Sequence, residues 1–298
     1  MSLRKLSTLT MAAWLLAILP SCDGGGQQDT GVNPDADTLK TDEGNNTPLL
    51  NVNGKLFSIP SPVQTALLIK KAEMPYRKNL PLSTDSMSRF ITKEKRALAL
   101  GMMGADLAYH TVFKDGQAAI KALKAIEQLS VQLNLDKAFD KELVDGFKRN
   151  MAFEDSLLRF SGKAYLAADR YLKEDRQEDV SAGVLAGGWI ESLYLSLGES
   201  TDKLDPMVAQ RVAEQRIALT NLIGLLQQAK TQEALVGQLQ GLKAELDNVK
   251  VTYTFVQPTV DAAKKTTFIN STSSADIPQD ALQRIVTKVR EIRSSILA

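Results

Sequence analysis

Residues 205–228 read DPMVAQRVAEQRIALTNLIGLLQQ, and their spacing decides the fold class. Val208, Val212, Leu219, Leu222, Ile223 and Leu226 recur at the three- and four-residue intervals that line up one face of an α-helix. Asp205 before Pro206 supplies a side-chain cap followed by a proline at the first helical position, where its missing N–H costs nothing. The same period returns on both sides. Ile120, Leu123, Ile126, Leu129 and Leu133 form one stripe, and Leu282, Ile285, Val286, Val289 and Ile292 form another. Thr84 with Met87 and Asp115 with Ala118 mark further helix starts. Helical patterns also cover 62–73, 92–110, 136–151, 153–173, 178–197 and 231–249. Helices joined by short polar loops predict an all-α fold, an antiparallel multi-helix bundle.

One stretch breaks the pattern. Residues 250–256, KVTYTFV, alternate Val251, Tyr253 and Phe255 against Thr252 and Thr254, which is the period of a strand. Residues 264–270 can pair with them across QPTVDAA as a small β-hairpin before the C-terminal helix. An isolated hairpin is marginal in water, so this one must lean on the bundle or on a partner.

Towards the N-terminus the reading changes from fold to address. Residues 1–22 carry Arg4 and Lys5 ahead of nine consecutive apolar residues, Met11 to Leu19. That run is short for a transmembrane span, which needs about 20 residues, and suits the core of a signal peptide. Leu19-Pro20-Ser21-Cys22 resembles the lipobox of lipoprotein signal peptides. The resemblance implies that Cys22, the chain's only cysteine, becomes a lipidated first residue of the mature protein. Several acyl chains on one residue hold a protein at a membrane where one chain is marginal. Residues 23–48 contain five glycines, six acids and only Val32, Ala36 and Leu39 as apolar residues. Such a composition predicts a disordered tether, and 26 flexible residues reach about 30 Å root-mean-square. The single helical domain is then expected at 49–298.

Composition removes many activities. Of 298 residues, 36 are Lys or Arg and 35 are Asp or Glu, so no global basic field draws in nucleic acid. One histidine and one cysteine exclude multi-histidine and multi-cysteine metal sites. No phosphate-binding loop, GxSxG or GxGxxG motif occurs. No metal, cofactor or catalytic set is expected.

Three stretches together resemble a family of uncharacterised helical lipoproteins of Bacteroidetes-type bacteria. They are IPSPVQTA (59–66), LGMMGADLAY (100–109) and VLAGGWIESLY (184–194). The resemblance implies an envelope lipoprotein with a helical body and supplies no activity, cofactor or partner.

The last two stretches also hold the candidate site. Gly101 and Gly104 lie in one helical pattern, and Gly183, Gly187 and Gly188 in another; each costs about 1 kcal/mol relative to alanine inside a helix. Close helix crossing explains them, as does a ligand resting against bare backbone. Asp106 and Glu191 sit among apolar residues, where a carboxylate must be paired or hydrogen-bonded. If the glycine faces meet, Asp106, Tyr109, Glu191 and Tyr194 converge near Trp189. Carboxylates with aromatic walls suit a small cationic ligand, and two acids with separated pKa values suit acid–base chemistry. The alternative is that one or both acids sit at the surface or pair with a base of the chain, with Arg159, Lys163 and Arg211 among the partners available. His110, four residues after Asp106, can share its face and reads as a surface or helix-stabilising histidine. Pro60 and Pro62 give a stiff lead into the first helix, with Val63, Leu67 and Leu68 continuing into a buried face. Lys70, Lys71, Arg77 and Lys78 make a local basic patch, the usual form of a solvated face.

The expectation is a non-catalytic lipoprotein of the bacterial envelope, anchored at the outer membrane and facing the periplasm. It would bind an envelope protein partner or a small ligand. The second reading is a ligand sensor or enzyme built on Asp106 and Glu191.

Overall fold

A computed structural model describes residues 49–52, 55–58, 61–135, 141–150, 177–198, 204–263, 265–269 and 271–298. The expected signal peptide, Cys22, the tether and the helix at 153–173 lie outside the described residues. What is described is an all-α body with small β-hairpins. The helices are α1 (Pro62–Lys71), α2 (Lys93–Val112), α3 (Gly116–Gln132), α4 (Lys141–Asn150), α5 (Glu178–Leu197), α6 (Pro206–Gln228), α7 (Glu233–Asp247) and α8 (Gln279–Leu297).

Capping chemistry explains where they start. Asp205 accepts from Met207 N at 2.8 Å, and Asp115 accepts from Ala118 N at 3.0 Å, as their sequence signatures require. Ser61 and Gln64 close a reciprocal capping box ahead of α1, with Pro62 at the first position. The S-x-x-Q signal for that box stands in the sequence at 61–64. Around Thr84 the structure departs from expectation. Ser83 is the cap, it opens only a 3-10 helix (Thr84–Arg89), and the long helix α2 starts at Thr92 instead.

The three apolar stripes form the core, with one correction. Ile120 is exposed, and α3 buries Ala119, Ala122, Leu123, Ala125, Ile126 and Leu129. The alanine row, one residue over, lets α3 lie close on α2. In α1 the buried positions are Val63, Thr65, Ala66 and Ile69, with Leu67 and Leu68 only partly covered.

Helix α5 organises the bundle. After Glu178 and Asp179 its only charged residue is Glu191, so it is apolar on every side and must be covered on every side. It is the one described helix long and apolar enough to cross a membrane, and 83% of that window is buried inside the bundle. Helices α1, α2, α6 and α8 all touch it, α2 most extensively. Trp189 meets Gln215 across α5 and α6, while Leu193 and Ser196 lie beside Val212 and Arg211, an antiparallel pair. Ser295 with Gln238 and Arg284 with Glu245 make α7 and α8 antiparallel as well. The central pair differs: Ala97 lies at Gly183, Gly101 at Val184 and Gly188, and Tyr109 packs with Leu195, so α2 and α5 run side by side in the same direction.

The late hairpin has a different pairing from the one the sequence suggests. Strand β3 (Lys250–Thr254) pairs antiparallel with β6 (Thr272–Asp276), Val251 opposite Ala275 and Tyr253 opposite Ser273. A second hairpin, β4 (Thr259–Asp261) with β5 (Thr266–Phe268), lies between them in sequence. The two registers differ by one residue, which places a bulge at 255–258. Ser271 Oγ brackets it, accepting from Val256 N at 3.2 Å and donating to Val256 O at 3.4 Å. A further hairpin, β1 (Leu49–Val52) with β2 (Lys55–Ser58), precedes α1. No alternation in 49–58 is strong enough to announce it.

Candidate functional site: a buried carboxylate pair

The glycines of α2 and α5 set the distance between the two helices. A Cβ on Gly187 would overlap the Leu98 carbonyl oxygen, and one on Gly101 would overlap the Val184 carbonyl. One on Gly188 would stand 3.3 Å from the Gly101 carbonyl oxygen. The faces therefore meet backbone to backbone, with no space between them for a ligand. Gly104 is different, since a Cβ placed there would have nothing within 4 Å.

One turn further along, this crossing brings Asp106 and Glu191 together, both with no exposed surface. The cation they hold is the chain's own. Arg293, near the end of α8, forms a bidentate pair with Glu191, Nε to Oε2 at 2.7 Å and Nη2 to Oε1 at 2.9 Å. Its Nη2 also reaches the Leu80 carbonyl at 3.3 Å, and its guanidinium lies 4.1 Å from the Tyr194 ring centroid. Asp106 Oδ2 accepts from Leu82 N at 3.0 Å. Helix α2, helix α5, the 80–82 segment and helix α8 are thus joined at one buried point. Of the bases the sequence offered, Arg211 pairs with Glu214 at 3.5 Å on the surface. Arg159 and Lys163 lie outside the described residues.

The protonation of the pair follows from its surroundings. Burial pushes both carboxyls up, and at Asp106 the neighbouring Glu191 charge adds to the rise. Arg293 opposes the rise at Glu191, where it supplies two charge-assisted bonds. These shifts favour one proton shared by the pair over two carboxylates, and favour Asp106, which has no arginine bond of its own, as its holder. No donor meets Asp106 Oδ1, and a proton on Asp106 would let it donate to the Glu191 carboxylate beside it. The arrangement neutralises one arginine with one carboxylate, and favours the second acid as a neutral donor.

The other expected site residues separate. Tyr194 belongs to the cluster through Arg293. Tyr109 is buried but turned towards the 76–77 segment, where its hydroxyl accepts from Arg77 N at 2.9 Å. Trp189 faces α6, its indole N–H donating to Gln215 Oε1 at 2.8 Å. Two residues along a helix turn a side chain by about 200°, so Trp189 and Glu191 occupy opposite faces of α5. Trp189 instead lines a small cleft with Thr65, Ser192, Leu193, Arg211, Val212 and Gln215, about 10 Å³ in volume. That is room for one water, and the buried Ser192 hydroxyl, without a protein partner, is the group it would serve.

His110 also departs from expectation. It is buried, and its partner is Tyr76 rather than Asp106. Tyr76 Oη donates to Asp115 Oδ2 at 2.9 Å and lies 2.8 Å from His110 Nδ1. A hydroxyl that has given its hydrogen to Asp115 accepts from the imidazole, so Nδ1 carries the proton. Burial holds the His110 pKa below its usual value. Burial and the Asp115 carboxylate push the Tyr76 hydroxyl well up. Tyr76, Tyr109 and Phe113 stack beside the imidazole, with Tyr76 and Phe113 centroids 5.3 Å apart. Lys78 of the basic patch sits 3.7 Å from Asp115. The sequence carried no signal for Tyr76, Leu82 or Arg293 as members of these clusters.

No protein-family model, curated protein or solved structure matches this chain.

Proposed function

We propose that this chain is a non-catalytic, membrane-anchored lipoprotein of the bacterial envelope, acylated at Cys22 and facing the periplasm from the outer membrane. Its helical body binds an envelope partner. The observation that carries the non-catalytic part is the closure of the acid pair. Asp106 and Glu191 have no exposed surface, Arg293 takes both Glu191 oxygens, and Leu82 N takes Asp106 Oδ2. A substrate or cationic ligand would have to displace a bidentate arginine from a closed interior. The anchor reading rests on Arg4, Lys5, the apolar run and the single cysteine after Leu19-Pro20-Ser21.

Membrane partitioning and intact mass test the anchor together. The wild-type chain is expected in the membrane fraction with acyl mass on a mature N-terminus at Cys22, and Cys22→Ala is expected to lose that mass and leave the membrane. Unchanged partitioning and mass in the variant would overturn the reading. For the body, native mass spectrometry of chain extracted from its own membrane should show a co-purifying protein. A stoichiometric small molecule lost in Asp106→Asn/Glu191→Gln would instead restore the ligand-sensor reading.

A further inference from the structure

Six of the eleven large apolar side chains exposed among the described residues lie on the late ribbon: Tyr253, Phe255, Val256, Val260, Phe268 and Ile269, between 42% and 78% exposed. The other five are scattered over α3, α6 and the segment before α2, as single exposed residues on any protein surface are. The ribbon is rooted on α6, where Gln210 Nε2 bonds Ser273 Oγ at 2.6 Å and Val251 and Ala275 pack on the core. Beyond Thr254 its large apolar side chains stand in solvent. A two-stranded ribbon is marginal in water by itself, and one carrying two phenylalanines and a tyrosine in solvent is poorer still.

We infer that the distal ribbon, residues 255–269, is a membrane-contacting arm that inserts its aromatic and aliphatic side chains into the interface of an anionic bilayer. The inference rests on the anchor reading given above. An acyl group at Cys22 with a 26-residue spacer gives a root-mean-square distance of about 30 Å between anchor and body, which holds the ribbon at high local concentration beside the bilayer. Strand β2, where the chain from the anchor joins the body, touches α6, the same helix that carries the ribbon. The turn sequence at 261–266, DAAKKT, has two lysines against one aspartate, and Lys265 is exposed in the turn. Aromatic side chains at headgroup depth with lysines beside anionic lipid are the chemistry of an interfacial contact.

A thiol probe separates this inference from the anchor. With an environment-sensitive fluorophore on Ile269→Cys, full-length protein in phosphatidylethanolamine–phosphatidylglycerol vesicles is expected to show blue-shifted emission that lipid-tail quenchers reduce. The same fluorophore on Val131→Cys, exposed on α3, is expected to stay aqueous and unquenched. Aqueous, unquenched emission at residue 269 overturns the inference. So does a blue shift that grows with protein concentration and ignores the lipid quencher, which would mean that a second copy covers the arm. Wild-type protein has only Cys22 to label, so uptake of label by the wild type refutes acylation alone. The residue 269 probe is then read in Cys22→Ser background with added vesicles, and its quenching decides the arm.

Discussion

Asp106 illustrates how one side chain can set the pH dependence of a whole fold. Its folded pKa is raised by burial and by Glu191, whereas in the unfolded chain it ionises near the ordinary value. Between those two values the native state binds the extra proton, so stability falls as pH rises, by up to about 1.4 kcal/mol per pH unit. His110 acts in the opposite direction. Its folded pKa is lowered, so stability is lost as pH falls through about 6.5, where the unfolded imidazole takes a proton. Above that pH the slope comes from the buried acid pair, with Asp106 its more strongly raised member. Asp106→Asn offers an amide where the neutral acid stood, donating to Glu191 and accepting from Leu82 N. Urea midpoints taken from about pH 6.5 to about pH 9 should therefore fall for the wild type and stay flatter and higher for Asp106→Asn. Parallel slopes would mean that Asp106 is ionised throughout. A smaller effect belongs to Tyr76, whose hydroxyl links His110 to the cap of α3. Tyr76→Phe keeps the ring stack with Phe113 and loses both bonds, so thermal denaturation should register a loss of about 1–2 kcal/mol. No change would show that solvent replaces the hydroxyl at this half-buried position.

At the scale of elements, the crossing of α2 and α5 is an interaction between backbones, and it makes unequal demands on glycines that look alike in the sequence. Gly101 and Gly104 are three apart in one helix, yet only Gly101 has a carbonyl where its Cβ would be. Gly187→Ala must push Leu98 and its carbonyl away and is expected to cost about 3 kcal/mol or more. Gly104→Ala meets nothing and should gain up to about 1 kcal/mol from helix propensity. Chemical denaturation of the two variants side by side checks the geometry; equal effects would contradict it. Helix type and extent were legible because the spacing of Val208, Val212 and Leu219, or of Leu282, Ile285 and Val289, reports one face of one helix. That the glycine faces meet followed from their cost. The parallel direction of α2 and α5 did not, since nothing local records which way a distant helix runs. The ribbon shows the same limit: the alternation at 250–256 announces a strand, while its partner depends on the bulge at 255–258, which local pattern does not encode.

For the whole molecule, the decisive contact joins residues 102 apart in sequence, Glu191 and Arg293. Asp106 and Glu191 were conspicuous in the sequence as acids among apolar neighbours. Arg293 was not, because it follows Ile292 at the border of the α8 stripe, where an arginine is ordinary. A pairing of this kind becomes visible only when α8 has docked. It also means that α8 closes the fold electrostatically as well as through Leu282, Ile285 and Val289. Arg293→Met keeps a flexible apolar stem but leaves Glu191 and Asp106 with no cation, and breaking such a buried pair costs about 3–5 kcal/mol. The loss should be conditional. As pH falls, Glu191 takes up a proton and the cost of an unpaired carboxylate disappears, so Arg293→Met should approach wild-type stability near about pH 5 and diverge from it towards about pH 8. Glu191→Leu combined with Arg293→Met removes both charges, leaves Asp106 as a neutral acid on Leu82, and should recover most of the neutral-pH loss. Denaturant midpoints for the single and double variants at the two pH values measure this directly. A pH-independent loss in Arg293→Met, unrelieved in the double variant, would mean that the arginine acts through its packing on Tyr194 and its bond to Leu80 rather than through the charge it gives to Glu191.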